Sequence, residues 1–281
     1  MHRAFLSELM LAKSDVIVIM EKIGILYTGG EPMEEYISSR KNPLLQQVKK
    51  LLSSRSERRK QGLFVGDGIK LLEEAVKYWP GLHTVILSEG VQAPIPGGIR
   101  VVRVPEDVMA SISPMEAPQG ALFLAKLPDP ERFVPQKGML ILDGIQDPGN
   151  IGTILRTADA MDVSVVLLDG CADPWSWKVV RSTMGAAFRR PVYQASWEEV
   201  LSACREAGIP IGVTALSDRA VDIRTADLSR MALVIGSEGR GVRQAVLENA
   251  DHELIIPMNP HCESLNAAIA AAIVMWEIRR G

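Results

Sequence analysis

Met231-Ala-Leu-Val-Ile-Gly-Ser-Glu-Gly-Arg-Gly241 sets an apolar run against a glycine-rich polar turn. Such a run, bounded by turn residues, reads as a buried strand that delivers the chain into a loop. Leu254-Ile-Ile-Pro257 repeats the arrangement ahead of Glu263-Ser-Leu-Asn266, and Met139 to Leu142 repeats it ahead of Asp143-Gly-Ile-Gln-Asp-Pro-Gly149. Strands read at 139–142, 163–168, 209–213, 232–235 and 254–256 alternate with helices read at 150–161, 178–184, 196–208 and 264–278. Alternation of this kind specifies an α/β fold with a mostly parallel sheet covered on both faces. In such sheets ligands bind at the carboxyl ends of the strands, so the polar turns are where function is expected.

Upstream the pattern is smaller in scale. Asn42-Pro43 opens a helix with proline at its first position, and Leu44, Leu45, Val48, Leu51 and Leu52 give it an apolar stripe. Short strands at 63–65, 84–87 and 121–124 and helices at 69–78 and 105–112 complete a small α/β domain. Pro128, Pro130 and Pro135 stiffen the connection to the second half. The expected division is an N-terminal extension over 1–35, a first domain over 36–126, a linker over 127–137 and a second domain over 138–281.

Composition narrows the function classes. Of 281 residues, 47% are hydrophobic and 23% charged, and the apolar stretch near the start is interrupted by Glu21 and Lys22. A bilayer-spanning segment and a secretory signal are therefore not expected, and the reading is cytoplasmic. Cys171, Cys204 and Cys262 are odd in number and far apart, which fits neither a disulfide framework nor a metal knuckle. The net charge of −3 conceals a basic segment: Arg40 to Lys60 holds eight basic residues against one acid, Glu57, so it carries +7 and the rest −10. Arg40, Lys49, Lys50, Arg55, Arg58 and Arg59 are the candidate phosphate contacts there. A solvated helix face is the competing account.

Three clusters carry chemistry. Asn150 stands where an N-cap belongs, and Gly152, Arg156 and Asp159 share a face distinct from the apolar face of Ile151, Ile154, Leu155 and Ala158. A glycine one turn before an arginine lets another chain or a ligand approach the guanidinium. A capped helix with an Arg156–Asp159 ion pair would explain the same residues. The turn Gly236-Ser-Glu-Gly-Arg-Gly241 lacks both the Gly-Lys-Ser/Thr of a phosphate loop and Gly-x-Gly-x-x-Gly, yet its glycines leave backbone groups free to face a ligand, with Glu238 beside them. The third cluster heads a helix without a charge between Ser264 and Trp276. That helix is expected to be almost wholly buried, with Asn266 as a polar group needing partners.

Together, Asn150-x-Gly152-x-x-x-Arg156, Ile235-Gly-Ser-Glu-Gly-Arg-Gly241, and Ile256-Pro-Met258 with Glu263-Ser-Leu-Asn266 resemble the three motifs of the SpoU, or TrmH, family of RNA ribose 2'-O-methyltransferases in the SPOUT superfamily. Lys178 to Ala187 is similar to the same family. The resemblance implies a parallel-sheet domain with a trefoil knot, a homodimer, and S-adenosylmethionine held near Thr214, Ala215, Gly236, Ile256 and Leu265. It implies a reaction centre of Arg156, Asn150, Glu238, Ser264 and Asn266; no metal is expected, on the spacing of the cysteines. Ser39-Arg-Lys-Asn-Pro43 and Gly62 to Gly68 resemble the RNA-binding domain ahead of many such enzymes, related to ribosomal proteins that bind kink-turns. By association with those relatives, ribosomal RNA is favoured over transfer RNA. A non-catalytic RNA-binding or ribosome-assembly protein retaining the fold is the rival reading, and a nicotinamide-dependent oxidoreductase is a more distant one.

Overall fold

The computed structural model describes residues 34–129, 133–237, 239–259, 261–262 and 264–280, together with the backbone of strands β1 (Val18–Met20) and β2 (Ile25–Tyr27), which pair antiparallel. The chain forms two compact units, Met1–Leu127 and Pro128–Gly281.

The larger sheet of the first unit has five strands: β3 (Glu34–Tyr36), β4 (Leu63–Asp67), β5 (Leu82–Ser88), β6 (Arg100–Val104) and β7 (Ala121–Lys126). Their order is β3-β6-β5-β7-β4, parallel across β3, β6 and β5 and antiparallel from β5 through β7 to β4. β3 begins inside the stretch read as an extension, where Glu34 and Glu35 pair with Arg103 and Arg100. β3 is polar and exposed, and in β6 the charged Arg100 and Arg103, paired with Glu35 and Glu34, interrupt the buried Val101, Val102 and Val104, so neither strand shows a period-two pattern. Gly66 lies opposite Phe123, and a Cβ there would stand 2.1 Å from the ring, so the absent side chain seats the aromatic.

Helix α1 (Pro43–Ser53) starts as its sequence dictates, with the Asn42 side chain accepting a hydrogen bond from the Leu44 N–H and with Leu44, Leu45, Val48 and Leu51 buried. Ser54 ends it and caps α2 (Arg55–Gln61) by accepting from the Glu57 N–H. This second helix turns the basic run back on itself. Helices α3 (Ile69–Tyr78) and α4 (Glu106–Ile112) complete the unit.

Among its described residues the second unit contains seven strands: β8 (Met139–Asp143), β9 (Val165–Leu168), β10 (Tyr193–Ala195), β11 (Ile211–Thr214), β12 (Val221–Asp222), β13 (Ala232–Gly236) and β14 (His252–Ile255). They lie in the order β10-β9-β8-β13-β11-β14-β12, and every pairing is parallel. Helices α5 (Pro148–Met161), α6 (Trp177–Ser182), α7 (Ala186–Arg189), α8 (Trp197–Glu206), α9 (Gln244–Leu247) and α10 (Ala267–Arg280) connect and cover them. Leu140, Leu142, Leu233 and Ile235 pack with residues of α5 and α10, whereas Met139, Ile141, Ala232 and Val234 pack with α8 and α9. Alternate residues of each strand therefore face opposite layers, as expected for strands buried on both sides. The short β10 and β12 form the two edges and were not legible in the sequence.

Two local expectations are corrected. Helix α5 is capped by Asp147, whose Oδ1 accepts from the Asn150 N–H at 2.8 Å, so Asn150 lies within the first turn instead of at the cap. The N-cap belongs to the residue before Pro148 because proline fixes the first helical position. Helix α10 begins at Ala267, later than expected, and is not wholly buried: Ile269 is 52% and Trp276 62% exposed.

Candidate active site

Because the sheet is parallel, the loops after β8, β11, β13 and β14 leave from one edge. A cavity of about 640 Å³ lies among three of them. Thr214 and Ala215 come from the end of β11, Gly236 and Ser237 from the end of β13, and Ile256, Ser264 and Leu265 from the segment after β14. All five residues expected to hold the cofactor thus line a single cavity, joined by Ser264 from the expected reaction centre.

The β13 loop owes its shape to glycine. Ser237 and Gly241 exchange backbone hydrogen bonds at 3.1 and 2.8 Å, closing the loop on itself. A Cβ on Gly236 would lie 2.1 Å from the carbonyl carbon of Gly241, and Gly241 itself has φ +65°. Glu238 lies outside the described residues, as does Glu263. After the loop, Arg243 donates to Asp143 through its backbone N–H at 2.8 Å and through Nε at 2.5 Å. Asp143, the last residue of β8, is buried. This pair was missed in the sequence; its one signal was a carboxylate ending an otherwise apolar strand. Nearby, Cys171 donates its thiol hydrogen to the Leu142 carbonyl, and burial pushes that thiol above its ordinary value.

The first and third motifs meet directly. Asn266 Nδ2 donates to Asn150 Oδ1 at 3.0 Å, while Asn266 Oδ1 accepts from the N–H groups of Ala268 and Ile269 and so caps α10. Asn266 is exposed, contrary to the expectation of a buried amide, because it stands before the first turn of α10, whose buried residues begin at Ala267. Arg156 projects from α5 into solvent and makes no hydrogen bond or ion pair among the described residues. The Arg156–Asp159 pair is absent; Asp159 is held by Arg189 and Arg190. Gly152 admits α6 closely, since a Cβ would stand 2.2 Å from that of Ser182. The close approach anticipated beside Arg156 is therefore made by a neighbouring helix.

In the first unit, Lys50, Arg55 and Arg59 are exposed and Lys49 is half-buried. Arg40 is exposed and paired with Asp107 at 2.6 Å. Arg58 is only 5% exposed, and its Nη1 donates to the Leu51 carbonyl at 2.5 Å. The turn at Ser54 brings it under the carboxyl end of α1, whose carbonyls and dipole favour a cation. Arg58 is thereby removed from the set of phosphate contacts.

Residues 137–276 match the model of the SpoU rRNA Methylase family, and residues 42–122 match the MRM3-like substrate binding domain. The 23S rRNA (guanosine(2553)-2'-O)-methyltransferase RlmP of Bacillus subtilis is 34% identical over 247 residues, covering 86% of this chain and 98% of that one. The chain belongs to the SpoU family. Among solved structures, the AdoMet-bound rRNA methyltransferase of Sinorhizobium meliloti superposes with TM-score 0.77 at 30% identity, covering 88% of this chain and 98% of that one. A putative RNA methyltransferase of the TrmH family from Porphyromonas gingivalis gives TM-score 0.75 at 32% identity, covering 84% and 96%. As a SpoU enzyme, this protein is a methyltransferase whose methyl donor is S-adenosylmethionine. The cavity fits that group: its volume suits a nucleoside-sized ligand, and it combines bare backbone at Gly236, apolar walls at Ile235, Ile256 and Leu265, and hydroxyls at Thr214 and Ser237.

Proposed function

We propose that this SpoU enzyme methylates a ribose 2'-hydroxyl of structured ribosomal RNA, with the donor in the cavity at the carboxyl edge of the second sheet. The observation that carries the reading is the convergence of Thr214, Ala215, Gly236, Ile256 and Leu265 on one cavity beside the Asn150–Asn266 bond. The bound donor supplies an electrophilic methyl on a sulfonium centre. The protein's part is to bring the hydroxyl into line with it and to ease removal of the hydroxyl proton.

Arg156 is a poor acceptor for that proton, because a guanidinium has a pKa above about 12. Its role is instead to hold the neighbouring phosphate and stabilise the developing alkoxide, which suits an exposed cation at the start of the site. Asn150, Glu238, Ser264 and Asn266 orient the reacting groups, with the Asn150–Asn266 bond fixing two of them relative to each other. Residues 36–126 form the RNA-gripping domain, 127–137 the linker and 138–281 the catalytic domain, with the extension over 1–35. Lys49, Lys50, Arg55 and Arg59, with Arg40 at the edge, supply the phosphate contacts.

The reading extends to a homodimer, a trefoil-knotted C-terminal segment and a cytoplasmic location. Support for the dimer comes from α10, where Ile269, Ile273 and Trp276 recur at helical spacing and the first and last are exposed. No helix among the described residues is long and apolar enough to cross a membrane.

The test is Arg156→Lys, assayed separately for methyl transfer into ribosomal RNA and for RNA affinity. Lysine keeps the charge and loses the bidentate fork, so turnover is expected to fall by roughly a hundredfold. Near-normal turnover would refute the assigned role, and absence of methyl transfer by the unaltered protein to any ribosomal RNA would refute the function.

A further inference from the structure

A carboxylate at the end of a wholly buried strand is held there only if charge and hydrogen bonds meet it, since an unpartnered buried charge is strongly disfavoured. Asp143 ends β8, all of whose residues are buried, and its side chain has no exposed surface. Both oxygens are engaged by Arg243: Oδ2 accepts from the backbone N–H at 2.8 Å and Oδ1 from Nε at 2.5 Å.

The sequence positions give this pair its meaning. In the ladder between β8 and β13, Asp143 lies opposite Gly236, the residue at which the chain enters the cavity loop. Arg243 is where the chain leaves it, immediately after the buried Val242. Entry and exit of the loop are therefore both tied to one residue of β8, while Ser237 and Gly241 close its neck. The loop contributes Ser237, Arg240 and Gly241 to the cavity wall. Asp143 also begins the connection to Asp147 and Asn150, so its backbone belongs to the segment that launches the catalytic helix.

We infer that Asp143 is a positioning residue for the methyl donor, acting through Arg243 to hold the 237–242 loop in the shape that binds it. This deepens the proposed function and rests on the donor occupying the cavity. A carboxylate that served stability alone would be felt in unfolding and not in donor affinity. A clamp on the loop acts on affinity even in a variant whose melting temperature is preserved.

The experiment compares Asp143→Asn, Arg243→Met and the double variant, with S-adenosylhomocysteine affinity read by calorimetric titration and thermal unfolding measured in parallel. Arg243 is half-exposed, and methionine retains most of its apolar stem but leaves the buried Asp143 carboxylate without a cation, so Arg243→Lys, which keeps the charge, is the variant that keeps the fold accessible. Each single substitution is expected to weaken binding by about tenfold and the double by no more than about tenfold, because the two residues act as one unit. The KM for the donor should rise more than kcat falls, and Arg243→Lys should recover part of the affinity. Single losses that multiply in the double variant would overturn the inference, as would lowered melting temperatures with unchanged affinity. Should Asp143→Asn fail to fold, the Arg243→Met and Arg243→Lys pair decides by the same readout. Binding by the unaltered protein with equal binding by the variants would defeat this inference alone; no binding by the unaltered protein would defeat the proposed function with it.

Discussion

Replacing Gly236 by alanine is the sharpest perturbation of the cavity. The new Cβ would stand 2.1 Å from the Gly241 carbonyl carbon, 2.2 Å from its oxygen and 2.3 Å from the Val242 nitrogen, all below the 3.0 Å that real Cβ atoms essentially never cross. Every one of these is a backbone atom, so no side-chain rotation relieves the clash. The 237–241 neck must open, losing two backbone hydrogen bonds at about 1 kcal/mol each, or the strain of overpacking, about 1–3 kcal/mol, must be absorbed in β13. A destabilisation on the order of 2 kcal/mol follows, which in a protein of this size lowers the melting temperature by about 4–8 °C. Donor affinity should fall with it, because the displaced atoms belong to the cavity wall. Gly239→Ala is the matched control: its Cβ would meet nothing within 4 Å, so its effect should stay within about 0.5 kcal/mol. Calorimetric titration with S-adenosylhomocysteine and a thermal melt suffice. If Gly236→Ala binds and melts like the unaltered protein, the close approach does not shape the cavity.

Other outcomes are equally specific. Arg58→Gln should destabilise the first unit by about 2 kcal/mol by uncapping α1, a loss visible in its unfolding transition. Neutralising Lys49, Lys50, Arg55 and Arg59 together should instead weaken RNA binding by more than about tenfold and flatten its salt dependence; unchanged affinity would return these residues to a solvated surface. Trp276→Ser should shift the sedimenting species from dimer toward monomer, and a monomeric unaltered protein would remove the dimer from the reading. At Asp251, burial acts to raise the carboxyl, but hydrogen bonds from the Arg205 guanidinium and the Ile211 N–H outweigh it and hold the group below its ordinary value. A depressed folded-state value means its stabilisation is full above the unfolded-state value, near pH 4, and is lost as pH falls through the folded one. The melting temperature should therefore drop in that acid range, and less steeply in Asp251→Asn.

The sequence by itself determined the class of fold, because strands buried on both faces must be continuously apolar and the turns after them must be polar. Met139 to Leu142, Ala232 to Ile235 and Leu254 to Ile256 announced the sheet for that reason, and the same turns supplied the residues that meet at the cavity. Asn42-Pro43 marked a helix start because capping depends on residues a few positions apart. Tertiary structure decided whatever depended on partners distant in the chain. Asp143 and Arg243 lie 100 residues apart, Asn150 and Asn266 lie 116 apart, and no local period relates either pair. Arg58 read as one more cation in a basic run until a turn at Ser54 directed it onto the Leu51 carbonyl, while Trp276, in a helix expected to be buried, lay on its open face. Hydrophobic periodicity fixes which faces are buried against something; only the packed chain determines what that something is.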